Sequence, residues 1–145
     1  MVLWLWIIGI AILIVLMFVF YYNRFVTLEN RIDNSLSQID VQLKKRADLV
    51  PNLIESVKGY AKHEKGIMDE VTKARKAFMG AKTIEQKVAK GAELQHALKS
   101  ILAVAENYPQ LRANENFLQL QNELAAIEDK VAYARQHYND SILAY

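Results

Sequence analysis

Glu93-Leu94-Gln95-His96 sets a carboxylate and an imidazole three residues apart, on one face of a helix. Two such Glu-x-x-His motifs on two helices, with a further Glu from each of two others, build a carboxylate-bridged metal pair. The second motif is missing, because Tyr60 and Ala134 stand three residues before His63 and His137. His63-Glu64 is followed by Ile67 where a zinc-protease helix needs histidine. There is no cysteine, hence no thiolate nucleophile, disulfide framework or cysteine-ligated zinc. No glycine-rich phosphate loop and no nucleophile elbow occur. Asn139-Asp140-Ser141 matches a glycosylation acceptor, a weak signal. No metal or other cofactor is expected from these residues, and the chain is not expected to be an enzyme.

A second set is polar but not reactive: Asn34, Asp40, Asn52, Glu64, Arg135 and Asn139 stand at or beside apolar seams. Surface and cap positions are the simpler reading. A buried network that fixes helix register is the alternative, as single buried polar groups do in coiled coils.

The elements that must position them all read as helix. Gly and Pro are scarce, at five and two, and no β-alternating run occurs. From Val2 to Tyr22 there are twenty-one residues without a charge. About 20 apolar residues cross the hydrocarbon core of a bilayer. Trp4 and Trp6 near one end and Tyr21 and Tyr22 at the other suit the two interfaces, with Arg24 just beyond. A cleaved signal peptide fits poorly, for lack of a basic start and a small-x-small site. Residues 1–22 are therefore expected to form a retained anchor, and 23–145 a helical domain. Seams with heptad-like steps predict domain helices near 23–49, 52–79, 84–107 and 114–143. Gly80 suits a helix C′ position and Thr83 an N-cap. Asn114 to Phe117 is expected to cap and staple the last helix.

Pro51 decides the architecture. An interior proline costs about 3 kcal/mol, whereas the first position of a new helix tolerates it. A break there gives four helices of similar length, as antiparallel bundle neighbours should be. A sharp kink or turn at Pro51 is thus expected, and the predicted class is all-α: one transmembrane helix running into an up-and-down antiparallel four-helix bundle.

All charges follow the apolar segment. Residues 23–100 hold fifteen Lys/Arg against ten Asp/Glu, and residues 101–145 three against six. The basic residues are interleaved with acids and read as a solvated face, with no nucleic-acid partner expected. A lipid-headgroup role for Lys44-Lys45-Arg46 is a lesser alternative. The positive-inside rule puts Met1 outside and the domain in the cytoplasm, with a single pass through the membrane.

Several long strings resemble the LemA family of bacterial membrane proteins: Ser37 to Glu64, Thr72-Lys73-Ala74-Arg75, Leu98 to Leu124 and Ala134 to Asn139. The resemblance implies an up-and-down four-helix bundle behind an N-terminal anchor, a cytoplasmic domain, and no established molecular function or catalytic residue. Asp40, Asn52, Asn114, Glu115, Asn116, Phe117, Arg135 and Asn139 fall in its motifs without assigned roles. Family members commonly continue past the position of Tyr145 with a segment containing a Phe-Pro pair. The expected function is a membrane-anchored scaffold that self-assembles in the bilayer as a homo-oligomer. The alternative is a monomeric tethered adaptor presenting Asn114 to Asn122 to a membrane protease or signalling partner.

Overall fold

The computed structural model describes residues 2–145, with side chains from residue 3. Met1, and with it the outer end of the expected anchor, lies outside the described residues. Five helices follow in order: α1 Val2–Lys58, α2 Lys65–Met79, α3 Ile84–Ala105, the single turn α4 Pro109–Arg112, and α5 Glu115–Ala144. No strand occurs among the described residues.

α1 is the organising element. Its 57 residues make a rod of about 85 Å at 1.5 Å per residue. Every described side chain from Leu3 to Thr27 is exposed. Trp4, Trp6, Tyr21 and Tyr22 are among them, each more than half exposed. This helix is long and apolar enough to cross a membrane. It then runs into the domain with no joint at Tyr22-Asn23, so the expected boundary at residue 22 falls inside one helix.

The expected turn at Pro51 does not occur; α1 continues through the proline to Lys58. The physical reason has two parts. The apolar seam keeps its phase across residue 51, with Leu43, Val50 and Val57 spaced by sevens and all fully buried. And the carbonyl that proline leaves without its usual partner, that of Ala47, is taken by Arg75 of α2, whose Nε donates to it at 2.8 Å. Pro51 itself is exposed. The chain turns instead at Gly59–Glu64, where the amides of Tyr60 and Ala61 both donate to the Val57 carbonyl, at 3.0 and 2.8 Å. The helix expected over 52–79 is therefore the end of α1 and all of α2. Gly80 ends α2 at φ −81°, in the right-handed rather than the left-handed region.

Neighbouring helices alternate in direction. α2 returns along α1, bringing Arg75 to Ala47. α3 runs parallel to α1, with Lys87 beside Asp40 and Gly91 against Leu43. α5 runs back beside α1 from Asn114 at Tyr60 to Tyr145, whose ring meets Phe25 edge-on at 5.6 Å. Thr83 caps α3 by accepting from the Gln86 amide, while Gln86 Oε1 accepts from the Lys82 amide. The core joins Leu43, Leu53 and Val57 of α1 to Val71 and Phe78 of α2, Leu94 and Ile101 of α3, and Phe117, Leu124 and Val131 of α5. α2 and α3 reach back along α1 only to about Asp40. Below that level α5 alone accompanies α1, and Ser141 is buried there while Ile142 is exposed.

Candidate functional site

The end of the domain farthest from the apolar segment is a hydrogen-bonded clasp. Asn114 Oδ1 accepts from the Phe117 amide at 3.0 Å, as the capping expectation requires, and Phe117 is 1% exposed. Its Nδ2 donates to the Tyr60 hydroxyl at 3.1 Å. The Tyr108 hydroxyl donates to Glu64 Oε1 at 3.1 Å. The turn after α1 is thereby tied to both ends of the α3–α5 connection. The bond to Glu64, with lesser help from burial, raises the Tyr108 pKa above its ordinary 10.0. The clasp fixes helix ends.

At the level where α3 begins, Lys87 bridges both oxygens of Asp40 at 2.7 and 2.9 Å. Asp40 thus pairs between helices, while Asn34, Asn52, Arg135 and Asn139 are exposed. For these four the surface reading holds. Asn52 and Asn116 nevertheless share a polar groove of about 390 Å³ between α1 and α5, with Gln119 and Glu123.

The buried polar side chains lie elsewhere, at Ser35, Gln42 and Arg46 of α1 and Ser141 of α5. Arg46, 3% exposed, is the one buried charge among the described residues. It sits on the α1 seam, in steps of three and four from Leu43 and Val50, so the spacing that located the core also locates Arg46. Its guanidinium faces a cavity of about 500 Å³ between α1, α3 and α5, shared with Gln95, Glu128, Arg135, Gln136, Asn139 and Asp140. Glu128 is already engaged, accepting from Gln95 Nε2 and lying 3.9 Å from Lys99 Nζ. Burial pushes the Arg46 guanidinium below its ordinary value; Glu128 opposes this and Arg135 adds to it. Four residues earlier, Gln42 is also buried, its Oε1 without a hydrogen-bond partner. It borders a larger cavity of about 660 Å³ between α1 and α5 that also includes Arg31, Ser35, Tyr133 and His137. Glu93 and His96 of the partial metal motif are both exposed on α3, with Glu93 paired to Lys90 at 2.7 Å.

These features define an all-helical protein in which one long apolar N-terminal helix is continuous with a packed helical domain and carries the domain's only buried charge among the described residues. The chain belongs to the LemA family, whose profile matches residues 35–145. It is 25% identical to magnetosome protein MamQ of Magnetospirillum gryphiswaldense, over 86% of this chain and 55% of that protein. It is 26% identical to protein LemA of Metamycoplasma hominis, over 81% of this chain and 54% of that protein. The chain thus spans about half the length of the curated relatives it matches.

Proposed function

We propose that this protein is a non-enzymatic, membrane-anchored scaffold that self-associates laterally. The observation that carries the reading is the unbroken α1, in which one helix serves both the exposed apolar segment and the domain core. A rod of that kind transmits domain contacts directly to the position of the anchor. On this reading the domain is an up-and-down bundle of α1, α2, α3 and α5, held on the cytoplasmic side of the inner membrane, with Arg24 and Arg31 setting the orientation. The net-basic stretch up to residue 100 and the net-acidic stretch beyond it favour head-to-tail contacts between copies. Such heterologous contacts close into rings when the rotation allows. Gly9 is followed four positions later by Leu13, so the anchor has no small-xxx-small seam and association falls to the domain. The test is the mass of the full-length protein extracted in native lipid, by mass photometry. A single large discrete species is the expected result; a monomer at every concentration would remove the scaffold.

One observation favours the second reading, a monomeric tethered adaptor. Asn116, Gln119, Gln121 and Asn122 are all exposed on the first turns of α5. They present an amide-rich surface to a protein partner. A photo-crosslinker at Gln119 would then join a different protein in cells, whereas the scaffold predicts crosslinks to the same chain or none.

A further inference from the structure

We propose that one side of the α1–α5 pair, from Phe20 to Gln42, seats α1 of a second copy of this chain, with Arg31 of the one copy set between Glu29 and Asp33 of the other. This rests on the self-association proposed above and names the surface that carries it.

The first argument is the shape of the seat. Two cavities, of about 430 and 660 Å³, lie end to end between α1 and α5 and share Arg31. Together they run from Phe20 to Gln42 on α1, about 33 Å along the axis. A trough of that length fits a helix packed alongside the pair. Along most of it α5 alone accompanies α1, since α2 and α3 stop near Asp40. Its lower end, at Phe20, belongs to the uncharged apolar segment. An occupant of the whole trough must therefore leave the bilayer as a straight helix beside α1. A soluble partner cannot do this, whereas another α1 does.

The second argument is charge, matched by height. Copies of one chain in one membrane hold equal α1 positions at equal heights, because α1 is unbroken from the apolar segment onward. Arg31 lines the trough. Glu29 and Asp33 each stand two residues from it, about 200° round the helix and within about 3 Å in height. Both are exposed. They form a like-charge pair four residues apart, which destabilises a helix, and no Lys or Arg stands three or four residues from either. Arg31 likewise has no Asp or Glu at those spacings. None of the three makes an ion pair among the described residues. Seating α1 of one copy in the trough of the next brings Arg31 to a height midway between the two carboxylates.

A second match lies at the upper end. Residue numbers at one level of α1 and α5 add to 170 at Phe25 and Tyr145 and to 174 at Tyr60 and Asn114. Asp129, in the trough, therefore stands at about the height of Lys44. Lys44 is exposed and eleven residues beyond Asp33, so it shares that side of α1 to within about 20°. The trough carries Arg24, Arg31 and Lys130 with Asp129, and the ridge Glu29 and Asp33 with Lys44. The two sides are thus opposite in net charge. Ridge and trough are different faces of the molecule, so the contact is head-to-tail and repeats from copy to copy.

The chain has no cysteine, so thiol crosslinking of the full-length protein in native membranes reads the contact directly. Ser37 is on the ridge, and Tyr133 lines the trough at about the same height. Ser37→Cys combined with Tyr133→Cys should give, with a short bis-maleimide, a ladder of species beyond the dimer, while each single variant gives none. Adding Arg31→Glu should remove the ladder, and adding Glu29→Arg and Asp33→Arg as well should restore it. Crosslinked dimers of a single variant, a ladder indifferent to Arg31→Glu, or a swapped variant that fails to restore it would overturn the contact. Absence of a ladder while mass photometry still shows the large species overturns it too, and leaves self-association standing on another face. A monomer by mass photometry removes both.

Discussion

Asn114 shows how much one side chain can fix. Its oxygen caps α5 and its amide nitrogen reaches Tyr60 on the turn after α1. Loss of a cap costs about 1 kcal/mol, so Asn114→Ala should lower the unfolding free energy by that amount or slightly more, read by denaturant titration. An unchanged midpoint would mean that the cap is idle. Gly91 shows the opposite, a side chain that must be absent. A Cβ there would lie 2.9 Å from Leu43 Cδ2, and Leu43 is 1% exposed with little room to yield. Overpacking costs about 1–3 kcal/mol, while alanine in a helix gains about 0.5–1 over glycine. Gly91→Ala should therefore destabilise by about 1 kcal/mol net; a higher melting temperature would show that α3 can move away. Tyr108 gives a pH signature. Its folded pKa is raised by the bond to Glu64, so the stabilisation is complete below the ordinary pKa of 10.0 and disappears as pH rises through the folded value. Tyr108→Phe should flatten that alkaline limb, and identical pH profiles for the two proteins would rule the bond out.

At the scale of an element, α1 survives its proline because a neighbour replaces what the proline removes. The Ala47 carbonyl loses an intrahelical donor and gains Arg75 Nε. Arg75→Ala should cost about 1–3 kcal/mol, the range for an unsatisfied buried polar group. Pro51→Ala restores the backbone N–H, so the same arginine substitution in that background should cost at least 1 kcal/mol less. A double-mutant cycle by denaturant unfolding measures this coupling directly; additive effects would separate Arg75 from the proline. Much of α1 was legible beforehand. The steps Leu43, Val50 and Val57 carry one seam through residue 51, a continuity that the expectation of a turn at Pro51 did not weigh. The donor for Ala47 was not legible, because it comes from 28 residues away and only the return of α2 brings it there. Equal helix lengths were the weaker guide: α2 is 15 residues and α5 is 30.

For the whole molecule, the consequence of α1 is mechanical. The apolar segment, the stretch paired with α5 alone and the enclosed core follow one another on a single axis. If lateral assembly works through this rod, inserting two glycines after Asn23 should leave the thermal transition of the domain unchanged and disperse the discrete species seen by mass photometry. Glycine breaks helical continuity at little cost to a domain whose core begins farther along, at Leu28. An assembly that persists with the insertion would show that domain contacts suffice without a rigid link to the anchor.

The sequence by itself determined the helical class, the apolar segment, the caps at Thr83 and Asn114 and most core positions. Each of these depends on local spacing, on composition or on a side chain bonding its own next turn. Only the tertiary structure decided where the chain reverses, which polar residues are buried and which pair. Those outcomes depend on partners distant in sequence. Asp40 meets Lys87 and Ala47 meets Arg75 once α2 and α3 fold back on α1. Arg46, the one of three adjacent basic residues whose spacing sets it on the α1 seam, is enclosed because α3 and α5 close over its side of α1, while Lys44 and Lys45 stay in solvent.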